Sequence, residues 1–293
     1  MAALDLPASL VSTEWLARHL GADGLVVVDA SVVGAETPAG FRWLSGLDDY
    51  LIEGHVPGAV FADILEEFSD PEGAYSFTRP DDARLERAAR ELGIGDDVAV
   101  VIYDSSLGHW AARLWWLLAS AGVDRVAVLD GGLTRWRADG RAVETGFESP
   151  RAAGSLTLSP RDGFWADRHE VLAITSGETT DASLVCAAPP SDFRGETGQR
   201  PRRGHIPGSV NVPISAVVDR ESRTFLRGEA LQEGLAPATA AAASRVVVYC
   251  GGGIAAAGTG FALRQAGHQD VAVYDGSLDE WAADPEAPLV TLV

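Results

Sequence analysis

An internal repeat constrains this chain more than any other feature. Glu53-Gly54-His55-Val56-Pro57-Gly58-Ala59-Val60 returns 150 residues later as Arg203-Gly204-His205-Ile206-Pro207-Gly208-Ser209-Val210. Val101-Ile102-Tyr103-Asp104 returns as Val247-Val248-Tyr249-Cys250 at an offset of 146. Asp130-Gly131-Gly132-Leu133 with Trp136 returns as Asp275-Gly276-Ser277-Leu278 with Trp281 at an offset of 145. A period this long is a whole domain, well beyond the roughly 20–50 residues of a solenoid repeat. The 293 residues therefore divide into two copies of one fold, in line with about 150 residues per domain.

Within each copy, short β-branched runs alternate with amphipathic helical stretches. Leu25 to Asp29, Val98 to Tyr103 and Val126 to Leu129 read as buried parallel strands, as do Ser183 to Val185, Val246 to Tyr249 and Val271 to Tyr274. Asp81 to Leu92 has an acidic first turn, an apolar face at Leu85, Ala88, Ala89 and Leu92, and Gly93 as a C-terminal cap. A second helix is expected from about Ile254 to Gln265. The fold class is α/β, an open parallel sheet flanked by helices, built twice. The expected domains are residues 1–145 and 163–293, joined by a linker over 146–162 that is rich in Gly, Pro, Ser and Arg.

Composition narrows the chemistry. The 23 cationic residues are all arginine, against 42 Asp plus Glu and a net charge of −19. Schiff-base, pyridoxal-phosphate and Walker-type phosphate-loop chemistries each need a lysine amine, so none of them fits. The acidic balance also argues against a nucleic-acid partner, which requires clustered cations. Met1 to Leu10 carries neither a basic segment nor a long apolar run, and no stretch reaches the ~20 apolar residues that span a bilayer. A cytoplasmic, reducing location is expected, with no membrane association.

The two cysteines, Cys186 and Cys250, are 64 positions apart and form neither a disulfide scaffold nor a zinc motif. No metal and no cofactor is expected. Cys250 closes the strand Val246 to Tyr249 and precedes Gly251-Gly252-Gly253-Ile254-Ala255-Ala256 and a helix. In open α/β sheets, ligands collect at such strand ends. Consecutive glycines let the backbone curl so that successive N–H groups surround the sulfur, and the helix N-terminus adds to them; both favour negative charge. A thiolate is the nucleophilic form of cysteine. The same residues also read as a small buried side chain before a glycine-rich turn.

The tandem repeat, the two Gly-His-Val/Ile-Pro-Gly motifs, the two Asp-Gly-Gly/Ser-Leu motifs with a trailing Trp, and the single strand-end cysteine resemble the two-domain rhodanese-family sulfurtransferases. The resemblance spans roughly Ser12 to Pro288. It implies a catalytically silent first domain, where Asp104 holds the cysteine position, and a catalytic second domain. There Cys250 takes a sulfane sulfur from a small donor as a persulfide and passes it to a thiol, sulfur-carrier or cyanide acceptor. Gly251, Gly252, Gly253, Ile254, Ala255 and Ala256 would cradle the anionic sulfur. Related phosphatases close this loop with an arginine, whereas Ala255, Ala256 and Ala257 stand here. Thiosulfate-type loops carry cations after the cysteine, and this loop is closer to the Cys-Gly-Ser-Gly-Val-Thr-Ala of mercaptopyruvate sulfurtransferases.

The chain also departs from the family. The family's Asp-Ala-Arg strand end reads Cys186-Ala187-Ala188, and its usual donor-binding arginine falls on Asp192. Arg194 keeps the next arginine of that segment, while Arg200, Arg202 and Arg203 follow on the loop. Arg194 with Arg203 or a neighbour is the expected donor contact; the other reading is a solvated, acid-paired loop. Of an Asp, His and Ser set in mercaptopyruvate enzymes, Asp63 matches, but Phe77 and Gly252 replace the other two. Asp63 reads as a donor-cleft residue or a cap. His55 and His205 lie in the repeated turn, and Trp136 and Trp281 recur likewise, so all four read as structural; Trp115 and Trp116 belong to a first-domain helix with at least one packed.

Cys186 lies on the strand expected beside the one ending at Cys250. It reads as a possible resolving thiol for Cys250, or as an apolar replacement for the family aspartate. The alternative to an enzyme is a rhodanese-like sulfur-relay or protein-binding module with little donor turnover of its own. Two joined domains point to a monomer.

Overall fold

The computed structural model describes residues 4–38, 40–148, 151–198, 200–240 and 243–292. Met1 to Ala3 of the opening segment, Ala39, Ser149 and Pro150 of the expected linker, Gln199, Ala241, Ala242 and Val293 lie outside the described residues. The chain separates into two compact units. The first comprises residues 1–71, 79–161 and 220–224, and the second 72–78, 162–219 and 225–293.

The first unit contains β1 (Leu10–Val11), α1 (Thr13–His19), β2 (Leu25–Asp29), β3 (Val32–Thr37), β4 (Gly40–Ser45), α2 (Leu47–Ile52), β5 (Val60–Phe61), α3 (Asp82–Glu91), β6 (Ala99–Tyr103), α4 (His109–Ser120), β7 (Val126–Leu129) and α5 (Gly132–Ala138). Its main sheet has the order β1-β7-β6-β2-β5, and every pairing in it is parallel. The second unit contains β8 (Trp165–Ala166), α6 (Arg168–Ser176), β9 (Ala182–Cys186), α7 (Pro190–Arg194), β10 (Val210–Asn211), α8 (Gly228–Thr239), β11 (Arg245–Tyr249), α9 (Ile254–Gln265), β12 (Val271–Tyr274) and α10 (Ser277–Trp281). Its sheet runs β8-β12-β11-β9-β10, again all parallel. Copy for copy this is the same order, so the sequence repeat is a repeat of topology. The central strands are Val-rich and buried on both faces, as helices on both sides of a parallel sheet require.

The repeated motifs are the braces of each copy. Tyr103 and Tyr249 end the central strands β6 and β11, and both are buried. Their hydroxyls accept N–H bonds from Val56 and Ile206, in the two Gly-His-x-Pro-Gly turns, each at 3.0 Å. His55 stacks on Tyr50 and bonds its carbonyl through Nδ1; His205 does the same with Phe193. Trp136 and Trp281 are buried and donate to Ala142 and Pro288 carbonyls. These bonds give the histidines and tryptophans structural work in both copies. Trp115 and Trp116 both lie buried on α4.

Several elements escape sequence reading. β3 and β4 form an antiparallel hairpin in the first unit. Its alternating exposure leaves no continuous apolar run, and Gly34 makes room for the Phe41 ring, which would lie 2.7 Å from a Cβ there. Residues 151–161, assigned above to the linker, run along the first unit. Gly154 N donates to Arg90 O at 2.8 Å, Ser159 N to Ala121 O at 2.8 Å, and Leu156 is buried.

Candidate active site

Cys250 follows β11 and precedes α9, whose N-cap, Gly253, is left-handed at φ 82°. A Cβ is strained in that conformation, so the third glycine is what lets the chain turn into the helix. The loop is fastened from behind by the second Asp-Gly-Ser-Leu motif. Cys250 N donates to Ser277 Oγ at 3.1 Å, Leu278 N to Cys250 O at 3.2 Å, and Asp279 N to Gly251 O at 3.0 Å. Ser277 is fully buried, holds φ 49°, and donates its own hydroxyl hydrogen bond to Tyr274 O. A non-glycine residue in that region is held there by surrounding structure, here by these bonds. Cys250 itself is only 4% exposed.

The first copy shows what such a loop binds. At the matching position, Asp104 Oδ1 accepts from Ser106 N at 2.7 Å and Gly108 N at 3.0 Å, and Oδ2 accepts from Trp110 N and Ala111 N, both at 3.0 Å. Gly108 caps α4 in the same left-handed conformation, φ 79°, and Leu133 N bonds Asp104 O as Leu278 N bonds Cys250 O. One copy thus closes its amide cradle with a built-in carboxylate. In the other, the N–H groups of Gly251 to Ala256 have no protein acceptor among the described residues. The donors that bind a carboxylate in the first unit have counterparts after Cys250 that are uncommitted to protein acceptors.

The cation at this loop is Arg200. A Cβ at Gly251 would stand 2.6 Å from its Nη2, so the guanidinium lies against the residue after the cysteine. Its Nε donates to Asp279 Oδ1 at 2.6 Å. Burial pushes the Asp279 carboxyl above its ordinary value, and Arg200 draws it back down. The two arginines expected to serve fall elsewhere. Arg194 is half-buried and bound through Nε and Nη2 to Glu196 at 2.7 and 2.8 Å, because Arg194 ends α7 and Glu196 follows two residues on, past the Gly195 cap. Arg203 is exposed, and Arg202 spends its guanidinium on the carbonyls of Asp284 and Ala287. Asp192 accepts from Thr197 within its own loop.

The remaining candidates are placed as follows. Phe77, at φ 59°, lies over the loop: a Cβ at Gly252 would be 3.2 Å from its ring, 3.3 Å from Ser76 O and 3.0 Å from Asp279 Oδ2. A side chain at position 252 would press on Phe77 and Asp279. Asp63 belongs to the first unit, where Oδ1 accepts from Leu65 N and Glu66 N and Oδ2 from Ser45 Oγ. Both its oxygens are engaged as a cap. Cys186 is fully buried in a core cluster with Ala188, Ile206 and Tyr249. Burial pushes its thiol up to about 12, which opposes the resolving role, since the thiolate is the attacking form. Its place in β9 matches Asp29 in β2: each pairs in register with a strand-end tyrosine. In the first unit, His55, Glu144 and Glu148 bring possible ligand atoms within 4.8 Å of one another. Glu144 already accepts from Gly58 N, and His55 Nε2 faces Glu148.

Comparison with known proteins agrees with this architecture. The Rhodanese-like domain profile matches residues 12–139 and 176–284. This chain belongs to the rhodanese family. Among its relatives, the "Putative thiosulfate sulfurtransferase SseB" of Mycobacterium tuberculosis is 38% identical over 241 residues, 81% of this chain and 84% of the relative. The 3-mercaptopyruvate sulfurtransferase of Escherichia coli strain K12 is 32% identical over 284 residues, 95% of this chain and 96% of that one. The crystal structure of SseA from Escherichia coli, described with the rhodanese fold of 3-mercaptopyruvate sulfotransferases, superposes with a TM-score of 0.80 at 28% identity. It covers 92% of this chain and 98% of its own. Relatives aligned over nearly the full length favour the enzyme over the relay or binding module.

Proposed function

We propose that this sulfurtransferase works through a persulfide on Cys250, with the amides of Gly251 to Ala256 holding the anionic sulfur and Arg200 holding the donor's anionic group. The observation that carries this reading is the pair of cradles. The glycine-capped turn before α4 binds the Asp104 carboxylate with four N–H bonds, and the glycine-capped turn that follows Cys250, one residue shorter, leaves its N–H groups without a protein acceptor among the described residues. The thiolate attacks the donor's sulfur and an S–S bond forms on Cys250. The donor's bond to that sulfur breaks, and the bonding pair leaves with the remainder, which takes up the thiol proton. An acceptor thiolate then attacks the outer sulfur and releases Cys250. Anion stabilisation at each stage comes from fixed dipoles that need no reorganisation.

A monocarboxylate donor such as 3-mercaptopyruvate suits the site better than thiosulfate. Arg200 is the one cation placed against the loop among the described residues, and Asp279 already offsets it. The acceptor is a thiol or sulfur carrier. The two free cysteines suit a reducing cytoplasm, and among the described residues no helix is long and apolar enough to cross a membrane. Each unit carries its own sheet and core, which suits a monomer. Mass spectrometry after incubation with 3-mercaptopyruvate or thiosulfate tests the reading. One added sulfur on Cys250, absent in Cys250→Ser, is expected; no addition from either donor refutes it.

A further inference from the structure

The persulfide reading needs a cation for the donor, yet the loop carries a cation and an anion side by side. Arg200 Nη2 lies against Gly251 and Asp279 Oδ2 against Gly252, the two residues that follow Cys250. Asp279 takes Arg200 through Oδ1. Its second oxygen remains on the loop side, and neither side chain makes a further hydrogen bond among the described residues. The pair is half-buried, with side chains 27% and 22% exposed, so it is reachable by a ligand while only partly screened by water. Asp279 is fixed independently of Arg200, because its own N–H bonds Gly251 O from the first turn of α10. The repeat marks the position as special: Asp130-Gly131-Gly132-Leu133 continues with Thr134, whereas Asp275-Gly276-Ser277-Leu278 continues with Asp279.

A donor that is only an anion must compete with Asp279 for Arg200 and leaves a carboxylate unmatched near its own charge. A ligand that carries both charges matches both groups. We infer that the site takes an α-amino acid bearing a sulfane sulfur, its carboxylate on Arg200 and its ammonium on Asp279 Oδ2. This rests on the Cys250 persulfide reading and specifies its substrate class. For an amino-acid hydropersulfide the step is redox-neutral. The Cys250 thiolate attacks the outer sulfur, the Cys250–sulfur bond forms, and the donor S–S bond breaks. The amino-acid thiolate leaves and takes the proton of the outer sulfur.

The test compares two hydropersulfides that differ only in the ammonium: that of L-cysteine and that of 3-mercaptopropionate. Single-turnover charging of Cys250 is followed by mass spectrometry, with 3-mercaptopyruvate as a third donor. Close charge pairs couple by ~1.5 kcal/mol or more, so a preference of about 10-fold for the amino-acid donor is expected. Asp279→Asn should reduce that preference, read as the ratio of the two rates in the same variant, to less than about twofold. Equal rates in the unmodified protein overturn the inference without any variant, as does an undiminished preference in Asp279→Asn. Charging by 3-mercaptopyruvate alongside equal hydropersulfide rates removes only the dipolar site. No charging by any donor removes the persulfide reading, and this inference with it.

Discussion

Arg200→Ala separates the arginine that the structure places at the loop from those the motif pattern suggested. The guanidinium rests against Gly251 and is 27% exposed at the side chain, so its bond to a donor carboxylate is charge-assisted but partly screened. Hydrogen bonds to charged groups contribute about 1.5–3 kcal/mol. Part of that is offset because the donor must share Arg200 with Asp279, which leaves about 2 kcal/mol, or roughly 30-fold in kcat/KM. The variant also strands the Asp279 carboxylate beside the loop, where it repels an anionic donor. Arg200→Ala combined with Asp279→Asn should therefore regain about threefold to tenfold over Arg200→Ala alone, the size expected for a half-screened pair. The assay is steady-state sulfur transfer from 3-mercaptopyruvate to a thiol, with the loss appearing chiefly in KM. Arg194→Ala and Arg203→Ala serve as comparators: one arginine is tied to Glu196 and the other is exposed, and both should stay within about twofold, as surface charges do. A loss in Arg194→Ala equal to that in Arg200→Ala would refute the assignment of the cation.

Three further predictions concern the loop and the strand ends. A methyl at Gly251 would meet Arg200 Nη2 at 2.6 Å, so Gly251→Ala should fold normally but displace the guanidinium, raising KM about tenfold and leaving single-turnover charging at saturating donor within about threefold. Cys186 lies in the core with its thiol pushed up by burial to about 12; iodoacetamide at pH 8 should label Cys250 alone in the native protein, and Cys186→Ala should retain sulfur transfer. Burial lifts Asp29 from 3.8 to about 6, partly offset by its bonds to Ser31. The protonated form is then the stabilising one, with its contribution complete below about pH 4 and lost as pH rises through about 6; the gap is worth about 3 kcal/mol. Asp29→Asn should accordingly match the wild type in urea unfolding at pH 4 and exceed it by up to that amount at pH 7.5, and equal stability differences at both pH values would count against the buried-acid reading.

The fold was legible because its signals were local and doubled. The short apolar runs of β2, β6, β9 and β11, the glycine caps of α4 and α9 and the braced Gly-His-x-Pro-Gly turns recur from copy to copy, so each copy vouches for the other. The hairpin β3–β4 belongs to the first copy and alternates buried with exposed residues on a small sheet, and no repeat called attention to it. At the site, the same logic both helped and misled. Cys250 stood out because it breaks the repeat at Asp104. Asp279 breaks the repeat at Thr134 in the same way, yet it passed unnoticed because a carboxylate on a short helix is usually solvated surface. Arg194 drew attention by its place in a family segment, but motif position does not say where a guanidinium points, and a glutamate two residues away settles that.

The departures from the family also prove connected once their contacts are known. Phe77 and Asp279 crowd the position where a serine side chain would start at residue 252, so Gly252 and Phe77 are departures that touch one another. Cys186 occupies the counterpart of Asp29, whose carboxyl burial already drives toward the neutral form. Replacing an acid that burial lifts only to about 6 with a thiol that the same burial pushes up to about 12 puts a group uncharged at neutral pH beside the strand-end tyrosine. Neither change removes a backbone N–H from the amide cradle. Where thiosulfate-type loops carry cations after the cysteine, the charge beside this loop is one arginine paired with one aspartate. On the persulfide reading, this divergence bears on which donor is held, while the loop keeps all its backbone amides.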